Sequence, residues 1–215
     1  MSLESPTARL LAAAAALVAI AASLYFTFGR GGSGQVRPSP QMRTLADALC
    51  ETAAREAAAA CGGHGTVVLL VPPPGDGLFP TPFTDCLAAR LPDHLRQAGF
   101  AVDAPESVAA LSEDGSPRGG CTREALAALF AKHADAVLLL SLAGLPALTA
   151  ADVNAFPAKR PKLAVVSNAL MPAFDRTPAG AVAFGIIARE SGAAGKDAPP
   201  GAFDTFFRVV RPGQR

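Results

Sequence analysis

The chain has 215 residues, half of them hydrophobic, with 19 basic against 18 acidic side chains and a formal net charge of +1. That balance argues against the basic stripe by which nucleic-acid binders hold phosphates. The lack of Trp and the single Tyr argue against a base-stacking platform. Enough apolar residues remain for one core and a separate apolar segment.

The separate segment comes first. After a tail of residues 1–9, residues 10–28 carry no charge and are bounded by Arg9 and Arg30. A helix rising ~1.5 Å per residue would span about 28 Å there, close to a bilayer core of about 30 Å. Tyr25, Phe26 and Phe28 sit at one end, where aromatic side chains favour the interface. A single transmembrane anchor is the reading adopted. A cleaved signal segment is the alternative, with Ala19-Ile20-Ala21 as its small-x-small site. Positive-inside counting does not decide the orientation: Arg9 lies before the span, offset by Glu4, and Arg30 and Arg37 lie after it. The plan of a short anchor before one soluble domain places that domain in the periplasm, beside the inner membrane. Residues 29–41, rich in Gly and then Pro, form a linker.

Residues 42–215 are expected to form one α/β domain. A helix over residues 42–60 follows from Leu45, Leu49, Ala53, Ala57 and Ala60 at helical spacing, and Gly62-Gly63 ends it. The uninterrupted apolar run from Thr66 to Val71 reads as a strand buried on both faces. A loop over residues 72–80 then leads to a helix with Thr81 as N-cap and Pro82 at its first position. Phe83, Leu87, Leu91 and Leu95 are its buried stripe, and Pro92 is expected to kink or split it. A short strand over residues 100–103, a short helix over 105–111 and a loop over 112–120 come next. Thr122 caps a helix whose apolar face is Leu126, Leu129, Phe130 and His133, and residues 136–142 form a second fully apolar strand. The alternation predicts a sheet with helices on both faces and right-handed crossovers where strands are parallel.

The last third reads differently. Residues 163–171 and 181–187 are strand-like, and the turn-rich stretch between them predicts an antiparallel hairpin at one edge, making the sheet mixed. Thr149 and Asp152 have the spacing of a helix cap. Residues 191–201 are a polar loop. Phe203, Phe206, Phe207 and Val210 recur at helical spacing in an amphipathic closing element.

The layout resembles the α/β domain shared by the curli-secretion lipoprotein, the penicillin-binding-protein activator lipoproteins and the amino-terminal domain of TolB. Val67 to Val71 stands where those proteins have a V-x-V-L-P-F-like strand, and Leu87 to Phe100 looks like their helix ending in L-x-x-x-G-F. Ala134-Asp135-Ala136-Val137-Leu138-Leu139 is similar to their G-A-D-x-V-L strand entry. Phe174-Asp175 to Gly180-Ala181-Val182 resembles their h-D-x-x-T-G-x-h hairpin turn. The resemblance implies an envelope domain that binds other proteins and carries over no catalytic residue.

The chemistry-bearing residues are sparse. Cys50 and Cys61 would stand about 16 Å apart on one helix, too far to pair. In an oxidising compartment, Cys61 with Cys121 and Cys50 with Cys86 are the candidate disulfides; the alternative for Cys50 and Cys86 is two small buried hydrophobes. His64, His94 and His133 are scattered, with no partner at i+3 or i+4. A zinc site from Cys61, His64 and Cys121 is conceivable but less expected than a loop histidine at a helix end, so no metal is assigned. His133 reads as a core histidine. No G-x-S-x-G elbow is present. Ligands of doubly wound sheets sit beyond the carboxyl ends of strands, which makes the 72–80 loop, with Asp76, Leu78 and Phe79, the candidate binding site. Apolar residues exposed there would suit a protein partner. The sequence therefore reads as a membrane-anchored envelope accessory protein that binds other proteins without catalysis. The alternatives are a periplasmic small-ligand or sensor domain and a hydrolase whose nucleophile the sequence does not show. No cofactor and no nucleic-acid partner is implied.

Overall fold

A computed structural model describes residues 39–72, 82–108, 123–167, 177–189 and 203–211. The chain divides into two units, Met1–Arg37 and Pro38–Arg215. The first, with the anchor expected over residues 10–28, lies outside the described residues. Among the described residues no helix is long and apolar enough to cross a membrane.

Helix α1 spans Pro40–Cys61. The Ser39 side chain accepts from the Met42 N–H at 3.1 Å, and Pro40 occupies the first turn, where a missing N–H costs nothing. Gly62 closes the helix in the left-handed conformation at φ 83°, its N–H donating to the Ala58 carbonyl. Helix α2, Pro82–Gln97, buries Leu87, Leu91 and Leu95 as the spacing predicts. Pro92 does not split it: buried Leu91 and Leu95 hold both halves of the stripe on one core, which outweighs the lost hydrogen bond. α1 and α2 pack together, and the Arg90–Asp47 ion pair ties their surfaces.

The strands are β1 (Thr66–Val71), β2 (Ala101–Val102), β3 (Glu106–Ser107), β4 (Leu138–Ser141), β5 (Lys162–Val166), β6 (Phe184–Ala188) and β7 (Phe207–Val210). Their order is β2-β1-β4-β5-β6-β7, with β3 also paired to β1. The two apolar runs are thus interior neighbours, in register from Val67 opposite Leu138 to Leu70 opposite Ser141. Alternate side chains feed two cores. Val67, Leu69, Leu138 and Leu140 meet α1 and α2 on one face. Val68, Leu70 and Leu139 meet Leu126 and Phe130 of α3 (Arg123–Lys132) on the other. Helices therefore cover both faces, as the sequence implies.

Three expectations fail. The predicted hairpin between residues 163–171 and 181–187 is not made: β5 and β6 run parallel, with Ala164 opposite Phe184 and Val166 opposite Ile186. The connection between them is long enough for a crossover, and both strands are buried on both faces, which is the habit of parallel strands. The antiparallel edge is instead β6 with β7. The closing segment is consequently not one amphipathic element. Helix α5 (Phe203–Phe206) ends where Phe207 turns into β7, seated between the rings of Phe83 and Phe203. Finally, the helix expected from residue 105 is β3. Pro105 breaks the edge strand after β2, and the chain then resumes pairing, with the Val108 N–H donating to the Val71 carbonyl at 2.8 Å.

Gly99 is required where α2 turns into β2. Its φ is +96°, and a Cβ there would stand 2.4 Å from the Gly63 carbonyl oxygen. Thr149 caps α4 (Ala150–Ala155) in a reciprocal box: its hydroxyl accepts from the Asp152 N–H at 3.2 Å, and Asp152 accepts from the Thr149 N–H at 2.7 Å. The Thr149 hydroxyl, which also donates to Asp152 Oδ2 at 2.6 Å, and then the Thr149 N–H hold the Asp152 carboxyl below its ordinary range.

Candidate functional site

The carboxyl edge of the sheet, where the sequence places the site, is described only in part. Pro72 is buried behind β1, and Asp76, Leu78 and Phe79 lie outside the described residues. So do the stretches that follow β3, β5 and β6. Ser107 closes β3 on the surface and Ser167 follows β5, whereas Ser141 is fully buried at the close of β4. Its hydroxyl donates to the Gly144 carbonyl at 2.6 Å and accepts from the Ala143 N–H at 3.2 Å. That hydroxyl closes its own turn and has a carbonyl, not a base, as its acceptor. It gives the hydrolase reading no nucleophile.

The thiols are equally unsuited to attack. Cys50, Cys61 and Cys86 are free thiols in this structure, and Cys121 lies outside the described residues. Cys50 and Cys86 are buried in the α1–α2 core. Burial, then Asp47 and Cys86, push the Cys50 thiol up to about 12. It carries no thiolate at neutral pH. Burial also raises the Cys61 thiol against the opposing charge of Lys162; its Sγ rests 3.7 Å from the Val137 carbonyl. His64 turns to the Gly62 carbonyl at 2.9 Å. Among the described residues no three His, Cys, Asp or Glu side chains are grouped to hold a metal. His133 is half-buried beside the core, not a satisfied core histidine. Its Nε2 lies 3.2 Å from Glu106 Oε1, within ion-pair range, yet the direction is wrong for a hydrogen bond.

The site that the described residues do build lies at the opposite, amino edge. An open cavity of about 600 Å³ is bounded by the end of α1, the approach to β5, the turn before β6 and the residue after β7. Ala59, Ala60, Ala158 and Ala183 give it an accessible apolar floor. Its charged groups are Glu56, Arg160, Lys162 and Arg211. Glu56, its side chain only 9% exposed, receives Arg211 through Nε at 3.0 Å and Nη2 at 2.5 Å, both on Oε2. Lys162 donates to the Ala60 carbonyl, an otherwise unpaired acceptor in the last turn of α1. Arg160 donates to the Pro157 carbonyl at 3.1 Å and lies over the rings of Phe130 and Phe156, 5.8 and 5.5 Å from their centroids. Gly180 faces open space here, at φ +80°. Three cations thus line the cavity against one carboxylate.

Sequence reasoning missed this site. Arg160-Pro161-Lys162 ahead of an apolar strand was a local signal, but Glu56 and Arg211 meet across 155 residues.

The architecture is that of an open α/β sheet, parallel but for its last strand and covered on both faces. No protein-family model matches the chain, and no curated protein matches it. Among solved structures the chain is similar to GanP, a glucose-galactose binding protein from Geobacillus stearothermophilus, at 16% identity and a TM-score of 0.49 over 77% of this chain and 60% of that one. It is similar to AraP, an arabinose binding protein from the same organism, at 14% identity and a TM-score of 0.49, with the same coverage. An ABC transporter solute binding protein from Agrobacterium vitis, bound with alpha-D-tagatopyranose, matches at 17% identity and a TM-score of 0.46 over 66% of this chain and 44% of that one. The chain spans about half the length of these proteins.

Proposed function

We propose that the α/β domain is a non-catalytic module that binds a small molecule in the amino-edge cavity. The observation that carries this reading is the cavity itself. A volume of about 600 Å³ with an apolar floor and a few fixed polar heads is what small-ligand sites have. None of the described residues lining the cavity is a serine, threonine, cysteine, histidine or tyrosine, which supports a site that binds and does not react. In this reading residues 10–28 hold the domain at the outer face of the inner membrane.

The test is thermal denaturation of the full chain in detergent against a panel of sugars, amino acids, nucleosides and small organic acids. A ligand at a hundred times its Kd stabilises the folded form by about 2.7 kcal/mol, which for a domain of this size raises Tm by about 5–10 °C. Ala59, exposed on α1 and lining the cavity, is the place to block it: Ala59→Trp is expected to remove the shift. A panel that moves nothing, or a shift that survives Ala59→Trp, would refute the reading.

A further inference from the structure

We infer that the ligand of the amino-edge cavity is a small organic anion, a carboxylate carried on an apolar body. This rests on the reading of the cavity as a small-molecule site and goes on to name the class of ligand.

Three features lead there. The first is charge. Arg160, Lys162 and Arg211 line the space with Glu56, and Glu56 already has Arg211 on one of its oxygens at two contacts. The pair cancels, and the field that remains is that of Arg160 and Lys162. A cavity with low-dielectric walls concentrates such a field on whatever enters it. The second is preorganisation. Each cationic head is fixed by a protein contact: Arg160 by the Pro157 carbonyl and two rings, Lys162 by the Ala60 carbonyl, Arg211 by Glu56. An arginine has five N–H donors and a lysine three, so these contacts hold the heads without exhausting them. Donors already held in place lose little freedom on binding, which is where affinity for a small ligand is usually lost. The third is the floor. Ala59, Ala60, Ala158 and Ala183 keep accessible apolar surface in the cavity and offer it as a wall to the body of a ligand. A bare inorganic anion would leave that wall unused.

The arrangement also limits the geometry. Lys162 enters from the first residue of β5, and Arg160 stands two residues before it. Arg160 lies over Phe130 and Phe156 on the α3 face, whereas Lys162 reaches Ala60 of α1, so the two heads flank the cavity from opposite faces of the sheet. Proline between them has no N–H, so the recognition falls to the two side chains.

The experiment compares three probes on the full chain in detergent at low salt: benzoate, its neutral analogue benzamide, and inorganic phosphate, with dissociation constants from calorimetry. Benzoate is expected to bind about tenfold more tightly than either of the others. Lys162→Met and Arg160→Gln keep the stems of their side chains and remove the charge. Each is expected to weaken benzoate about three- to tenfold and to leave benzamide unchanged. At about 1 M salt, where the screening length is ~3 Å, benzoate should lose most of its advantage. Circular dichroism of both variants checks that the fold is kept. Ala59→Trp should abolish whatever binding is seen.

The results separate the two levels of the argument. If benzamide binds as tightly as benzoate and Ala59→Trp blocks both, the cavity binds small molecules and the anion assignment is overturned. Phosphate binding as tightly as benzoate overturns the apolar body. Charge-removing variants with unchanged affinity for benzoate overturn the roles of Arg160 and Lys162. Failure of all three probes to bind overturns the anion assignment, and the panel of neutral solutes then decides the fate of the cavity reading by itself.

Discussion

The Glu56–Arg211 pair joins the first helix of the domain to the residue after its last strand, and it can be broken from either side. Arg211→Met removes the guanidinium and keeps a stem of similar reach. The carboxylate left behind is 9% exposed, whereas the departing partner was 45% exposed. Stranding one member of a fully buried pair costs about 3–5 kcal/mol, and an exposed pair is worth about 0–1 kcal/mol. With one member buried and the other half in water, a loss of about 1–3 kcal/mol is expected. Glu56→Gln keeps the size and removes the stranded charge, so the double variant should recover about half of that loss or more. The assay is urea denaturation of wild type, both single variants and the double variant at neutral pH and low salt, followed by circular dichroism and read as a double-mutant cycle. A coupling free energy of about 1 kcal/mol or more is the expected outcome. Single variants within about 0.5 kcal/mol of wild type, or effects that simply add, would refute the claim that this pair fastens β7 to α1.

Leu139→Ala, at the centre of β4 and fully buried, should cost about 2–5 kcal/mol by chemical denaturation; a loss below about 1 kcal/mol would place β4 away from the middle of the sheet. Gly99→Ala meets both a positive φ and the Gly63 carbonyl, so a drop of about 1–3 kcal/mol is expected, and an unchanged Tm would deny the close approach. The Glu106 carboxyl lies below its ordinary range through the hydrogen bond from Lys132 first, with Lys132 and His133 charges adding. A lowered carboxyl means that the folded state binds fewer protons than the unfolded one. The stability it contributes is present above the ordinary carboxylate value and fades as pH falls through the folded one. Glu106→Gln should therefore lower the neutral plateau slightly, leave the acid end nearly where it was and so flatten the acid limb of Tm against pH; a neutral plateau and acid limb identical to wild type would contradict this. Native Cys50 should resist alkylation at neutral pH and become reactive in urea, since burial holds its thiol at about 12; rapid labelling of the folded chain at Cys50 would disprove its enclosure.

What the sequence displays well is whatever short-range pattern decides. Gly62 ends α1 and Thr149 with Asp152 caps α4, because a cap needs partners only three or four residues away, although the Ser39-Pro40 start of α1 reads as linker. The runs Val67–Val71 and Leu138–Leu140 read as doubly buried strands because no alternation is needed when both faces are covered. What it displays poorly is direction and partnership. The segments around β5 and β6 are apolar and separated by a turn-rich stretch, which suits a hairpin as well as a crossover; the choice rests on tertiary pairing that no local residue announces. The same holds for β3, where Glu106 and Ser107 carry no strand signal and pair only because the rim of β1 is free to take them. The candidate site suffered most. Asp76, Leu78 and Phe79 drew attention as one contiguous loop, whereas the cavity is assembled from four separated stretches, none conspicuous alone.

The direction of the last strand decides which edge of the sheet can hold a ligand. In a sheet with all strands parallel, the residue after the final strand emerges at the carboxyl edge, beside the loops after β1 and β4. Here β7 runs against β6, with Val210 opposite Gly185 and Phe207 opposite Ala188. The chain therefore leaves β7 at the amino edge, next to the start of β6, and sets Arg211 against Glu56 near the end of α1. Meanwhile β5 begins at Lys162, so the cations before and at its start arrive at the same edge from the other side. Two of the cavity's three cations thus come from a strand entry and the third from a strand exit, and they can meet only because the final pairing is antiparallel. A variant in which β7 could not pair, such as Val209→Pro, would remove the Ile186–Val209 step of the ladder. It should then lose both the Glu56–Arg211 coupling and binding in the cavity. Loss of one without the other would show that the cavity is built independently of the closing strand.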